Sequence, residues 1–228
     1  MNSQSAKPVL FHKILFSFII ICGSQLVFAD QAFDEAMKKA QAGNAIDQHA
    51  LGQRYEKGEG VTQSYAEAAK WYLKAATQGD AKSQSNLGNM YNQGQGVTQD
   101  YKEAAKWYLK AAKQGYAKAQ YNLGVMYEKG RGVEKKYKEA VKWFTSSAEQ
   151  DYGPAQFALA VMYSNGFGVK QNFELAYVWA TVAPTNSNEV VQLRELTASK
   201  LSSDTIRAAT QQVTTVRRRI DKNKMASH

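Results

Sequence analysis

Side chains able to do covalent or metal chemistry are scarce in this sequence. Its 228 residues hold one cysteine, Cys22, and three histidines, His12, His49 and His228. Zinc clusters, Cys–His dyads and Ser–His–Asp triads draw on those residue types, and this supply argues against all three. No Ser-x-x-Lys of the kind used in serine acylation occurs, and Thr197-Ala-Ser-Lys200 is the nearest approach. Glycines recur as G-x-G-V, but without the Lys-Ser/Thr ending of a phosphate loop. No catalytic residue, cofactor or metal is expected, and the chain is not expected to be an enzyme. The side chains that remain are suited to recognition. Asn86 and Asn122 carry amides of the kind that bond a peptide backbone. Tyr121, Val125, Met126, Phe157, Val161 and Met162 offer apolar and aromatic area of the kind enriched at interface centres.

These residues are positioned by a repeat. Trp71, Trp107, Trp143 and Trp179 are the four tryptophans of the chain, each 36 residues from the next. Tyr55, Tyr91, Tyr127 and Tyr163 keep that step, as do Leu51, Leu87, Leu123 and Leu159 and the loops at Gly58/Gly60, Gly94/Gly96, Gly130/Gly132 and Gly166/Gly168. The decamer EAAKWYLKAA stands unchanged at 67–76 and 103–112. A recurrence of this length marks a stacked array, in which each unit buries its apolar face only against its neighbours.

Each unit reads as two helices. Gln48, Leu51, Gly52 and Tyr55 share one helical face, and Gly58 ends that helix. Ser64 with Glu67, and Asp100 with Glu103, form capping boxes that open the second helix. Lys136 loses the box in the third unit and Asn172 weakens it in the fourth. Ala68, Trp71 and Ala75 mark the inner face of the second helix, with the adjoining tyrosine flanking that packing. Lys70, Lys74, Lys106, Lys110 and Lys142 are expected to face water.

The pattern A-x-x-Q-x-x-L-G-x-x-Y-x-x-G-x-G-V followed by A-x-x-W-Y-x-K-A-A-x-Q-G resembles the Sel1-like repeat, a relative of the tetratricopeptide repeat. The resemblance implies an all-α, right-handed α-solenoid of helix-turn-helix units with helical caps. The units run 45–80, 81–116, 117–152 and 153–188, between a capping helix in 30–44 and capping helices with a basic tail in 189–228. It also implies a concave surface lined by the first helix of each unit, where a protein or peptide partner binds. The positions facing it should vary while the packing positions stay fixed. His49, Ser85, Tyr121 and Phe157 form one such column, and Asn86 and Asn122 occupy a second. Gln53, Asn89 and Val125 belong to a third, and Glu56, Asn92, Glu128 and Ser164 form a fourth. The apolar end of this surface has a rival occupant in the chain itself, since the helices after 189 would bury it if they lay there.

The family implies other roles too. Cysteine-rich secreted members are associated with β-lactam binding, which makes a cell-wall or β-lactam-binding or hydrolysing protein one alternative. A secreted host-interaction factor is another.

Lys7, Lys13 and the apolar run Ile14–Ala29 have the layout of a cleaved signal peptide, so residues 1–29 are set apart and the protein is expected in the periplasm or outside a Gram-negative cell. The chain carries 29 Lys+Arg and 20 Asp+Glu, net +9. The basic tail at Arg217, Arg218, Arg219, Lys222 and Lys224 suits a helix C-terminus and a weak contact with an anionic envelope surface. No aromatic-basic stacking platform for nucleic acid is visible.

Overall fold

The computed structural model describes residues 31–184 and 187–226. Residues 1–29, including Cys22, and His228 lie outside them. The described elements are all helices. A first helix α1 (31–41) precedes four hairpins. These are α2 (Ala45–Lys57) with α3 (Tyr65–Thr77), α4 (Ala81–Gln93) with α5 (Tyr101–Lys113), α6 (Ala117–Lys129) with α7 (Tyr137–Ala148), and α8 (Gly153–Asn165) with α9 (Phe173–Val182). Two further helices follow, α10 (Asn188–Ala198) and α11 (Ser203–Ala226). Each hairpin closes on itself and then packs on the next, which makes the molecule an α-solenoid.

Within a hairpin the two helices touch through a glycine and an aromatic ring. A Cβ on Gly52 would lie 2.7 Å from the Tyr72 ring, and Gly88 and Gly124 stand in the same relation to Tyr108 and Phe144. The tyrosine after Trp71 and Trp107 is therefore no flanking residue. Tyr72 and Tyr108 are as deeply buried as any side chain in the core. The tryptophan joins its unit to what precedes it: Trp71 clusters with Ala40 of α1 and Leu51 of its own unit, and Trp107 with Ala69 and Ala76 of the first unit and Leu87 and Met90 of its own. Lys74 and Lys110 stretch across the outer faces of Trp71 and Trp107, with Nζ 3.7 and 4.0 Å from the ring centroids. These lysines are exposed, and they cover the tryptophans as well as meeting water.

The second glycine of each G-x-G loop sets the spacing between units. At Gly96 φ is +70°, and a Cβ there would fall 2.2 Å from the carbonyl carbon and oxygen of Tyr65, at the start of the preceding unit's second helix. Gly132 meets Tyr101 in the same way. Gly94, by contrast, ends α4 in the left-handed region and donates its N–H to the Met90 carbonyl.

A ladder of buried amides runs along the stack. Gln48, Gln84, Gln120 and Gln156 donate Nε2 to the carbonyls of Ala40, Ala76, Ala112 and Ala148, closing the last turn of the preceding helix. Gln78, Gln114 and Gln150 donate in turn to the side-chain oxygens of Gln48, Gln84 and Gln120. A buried amide left unpaired is costly, so this ladder holds neighbouring units in register.

The caps differ from the reciprocal boxes read from the sequence. Ser64 Oγ accepts from the Glu67 N–H, Asp100 from Lys102 and Glu103, and Asn172 from Leu175, so three of the four second helices are capped. The returning bond from the glutamate is absent, because the N–H groups of Ser64 and Asp100 already donate to the carbonyls of Tyr55 and Tyr91. Glu67 and Glu103 turn outward instead and pair with Lys70 and Lys106 three residues on.

Candidate functional site

The variable positions on the first helices separate into two halves. In the first half they form polar networks that bridge units. Glu56 accepts a very short hydrogen bond from the Tyr72 hydroxyl, with the Asn86 side chain as that hydroxyl's other hydrogen-bonding neighbour. One unit further on, Asn89 Oδ1 accepts from the Tyr108 hydroxyl at 2.7 Å and from Asn122 Nδ2 at 3.1 Å. Burial is the main cause that drives the phenol pKa of both tyrosines far above the ordinary value, with the Glu56 carboxylate adding to it at Tyr72. Both hydroxyls stay protonated donors at any physiological pH. Asn86 and Asn122 are therefore committed in part to the fold, which corrects the expectation that their amides are reserved for a ligand.

His49 is also drawn inward. Its Nδ1 lies 2.8 Å from Ser83 Oγ and 3.4 Å from the Asp80 carboxylate, and its ring stacks obliquely on Tyr72. Burial lowers its pKa against the opposing pull of Asp80. Ser85 is corrected outright. It is 0% exposed, so it cannot meet a partner, whereas His49 and Tyr121 in the same column are larger and stay partly exposed. Gln53 is half-buried, with no hydrogen bond among the described residues.

The second half is aromatic. Tyr121 packs between Phe144 and Tyr152, at ring centroid distances of 5.7 and 5.4 Å. Val125, half-buried, packs on the same cluster. Phe157 lines a cavity of about 480 Å³ together with Tyr152, Pro154, Pro184 and Val190. One column escaped the sequence reading: the residues just before each first helix, Asn44, Asp80, Tyr116 and Tyr152. The first two cap their helices, while the two tyrosines make no capping bond. Each lost cap costs roughly 1 kcal/mol. The shift from cap to aromatic follows the same direction as the neighbouring columns, and their 36-residue spacing was the signal for it.

The C-terminal helices leave most of this face uncovered. The core side of α11 (Ala209, Val213, Ile220) packs on α9, a second helix, within a cluster that also takes in α7 and α8. Its end is tied to the turn after α7, where Arg219 pairs with Glu149, Lys224 with Asp151, and Asn223 donates to the Glu149 carbonyl. Arg217 donates to the Thr181 carbonyl. Three of the five basic tail residues thus serve docking. α11 runs to Ala226, and its last six residues carry Asn223 and Lys224 of this anchor. On the first-helix side, the start of α10 reaches the cavity beside Phe157.

The hairpins match the family model for the Sel1 repeat at 45–80, 81–116, 117–152 and 153–183. The chain belongs to the Sel1 repeat family. The last matched span ends where α9 stops ahead of Pro184. Among solved structures, the Sel1 repeat chain is similar to c5321, a protective antigen of uropathogenic Escherichia coli with the same repeat fold. Identity is 32% and the TM-score 0.77, over 86% of this chain and 42% of that one. A Sel1 repeat protein from Oxalobacter formigenes is 30% identical with a TM-score of 0.63, over 82% of this chain and 88% of that one. No curated protein matches the sequence. This chain therefore spans less than half the length of the E. coli antigen. Sel1 repeat folds generally serve as scaffolds for protein–protein interaction.

Proposed function

We propose that this Sel1 repeat protein is exported and holds a protein or peptide partner on the concave surface formed by α2, α4, α6 and α8. The observation that carries the reading is the first-helix face itself. One of its columns changes from polar to aromatic along the stack (His49, Ser85, Tyr121, Phe157) and another from amide to valine (Gln53, Asn89, Val125, Val161), while the leucine and glutamine positions that build the stack stay fixed. The loss of two helix caps in favour of Tyr116 and Tyr152 supports it, since stability is given up for aromatic area. The apolar run before Ala29 supports export.

A photo-crosslinking residue placed at Gln53 or Phe157, on the first helices, is expected to capture a partner in the producing cell. The same residue at Lys106, on a second helix, is expected to capture none. Equal yields at Lys106, or no adduct at any position, would overturn the proposal. The mass of the protein recovered from the periplasm or medium should correspond to a chain lacking residues 1–29. The similarity to a protective antigen favours a second reading, in which the partner is a host protein met outside the cell. Recovery from the medium rather than the periplasm would support that version.

A further inference from the structure

The third unit leaves one carboxylate of the first-helix face without a partner. Glu56 in the first unit receives the Tyr72 hydroxyl. Two units later Glu128 occupies the same place, but the residue matching Tyr72 is Phe144, which has no hydroxyl to give. The neighbouring amides vanish at the same point, with Val125 where Asn89 stands and Ala158 where Asn122 stands. Glu128 is half-buried and makes no hydrogen bond or ion pair among the described residues. It lies close enough to Tyr121 to contribute, behind burial, to raising that phenol's pKa. The Tyr121 ring in turn lies against Tyr152. A half-buried carboxylate without a partner, on a face whose neighbouring positions Tyr121, Val125 and Phe157 are aromatic or apolar, is a receptor for an organic cation.

The charge pattern of the face agrees. Its four columns contain Glu56 and Glu128 and no lysine or arginine, on a chain whose net charge is +9. We propose that Glu128 receives a lysine or arginine side chain from an otherwise uncharged, apolar segment of the partner protein. Val125 and Phe157 would take the apolar residues beside that cation. This inference rests on the proposed use of the first-helix face and adds the chemistry of the segment bound there.

Random dodecapeptides displayed on phage provide the probe, selected on the purified full chain and on its Glu128→Gln and Glu56→Gln variants. Thermal melting serves as the check that each variant is folded. Wild-type selections are expected to enrich Lys or Arg next to apolar residues. Glu128→Gln should erase that enrichment and weaken a selected peptide by about fivefold or more, while Glu56→Gln keeps both. Non-specific attraction to a basic protein would enrich acidic peptides, the opposite sign. If peptides bind with no preference for a cation, or keep the preference in Glu128→Gln, the cation site is refuted and the binding face survives. If no peptide is selected at all, both readings fall.

Discussion

Replacing either glycine of the second G-x-G loop by alanine separates two costs that the sequence cannot distinguish. Gly94 and Gly96 both have φ of +70°, so alanine at either pays the left-handed penalty of about 1–2 kcal/mol. At Gly94 the new methyl lies 3.2 Å from the Gln99 Cβ, a contact that a small side-chain movement relieves. At Gly96 it lies 2.2 Å from the Tyr65 carbonyl, which is backbone of the preceding unit. An ordinary carbon–oxygen contact is about 1 Å longer, so the first two units must be pushed apart along their shared surface. Overpacking of this kind adds about 1–3 kcal/mol, which brings Gly96→Ala to about 2–5 kcal/mol against about 1–2 for Gly94→Ala. Urea unfolding followed by circular dichroism at 222 nm measures both, provided the slope with denaturant is unchanged. Equal losses in the two variants would refute the role of Gly96 as a spacer between units.

Three other perturbations probe the core, the ladder and the latch. Trp107→Ala should lower stability by about 3–5 kcal/mol, whereas Tyr108→Phe, which removes only the hydroxyl given to Asn89, should cost about 1 kcal/mol. Differential scanning calorimetry ranks the pair. Gln120→Leu removes two rungs of the ladder, leaving the Ala112 carbonyl to the Gly115 N–H and the Gln150 amide to the Ser146 carbonyl, for a loss of about 1–2 kcal/mol measurable in the same way. For the C-terminal latch, burial of Asp151 works to raise its pKa. The Lys224 ammonium and the Gln156 amide, with Arg217 beyond, prevail and hold it below the ordinary aspartate value. Its contribution is therefore present above the ordinary value and disappears as pH falls through the lower folded value. Hydrogen exchange should show the last turns of α11 opening at low pH ahead of α4–α7, and Asp151→Gly should open them already at neutral pH. Protection in α11 that falls only in step with the rest of the chain would contradict this.

Asp151 also shows how much of the molecule could be read from the repeat. Gly79 and Gly115 occupy the matching left-handed positions, with φ of +99° and +88°, and Asp151 sits there at +63°. The break in the pattern is visible in the sequence. Its reason, a carboxylate held toward Lys224 some seventy residues away, is not. The same division runs through the binding face. The periodicity correctly places Tyr121, Val125 and Phe157 on first helices, and it also places Ser85 and the two asparagines there. It does not reveal that Ser85 is covered, or that Asn86 and Asn122 already hold bonds inside the stack.

By itself the sequence determined the architecture. A 36-residue period with fixed Trp, Leu, Tyr and Gly positions leaves few ways to bury the apolar faces other than stacking four helical hairpins. It also determined which positions are free to vary, since those are the ones the period does not repeat. Tertiary structure decided which of the free positions face outward and what each one faces. That depends on contacts between units, where Gly96 meets a backbone carbonyl, Gln84 meets the Ala76 carbonyl, and α11 lies on α9. Such contacts join residues through space at distances that periodicity along the chain does not encode. For the same reason, Glu128 is unremarkable in its own repeat and becomes distinctive only beside Phe144, where the hydroxyl that Glu56 receives is missing.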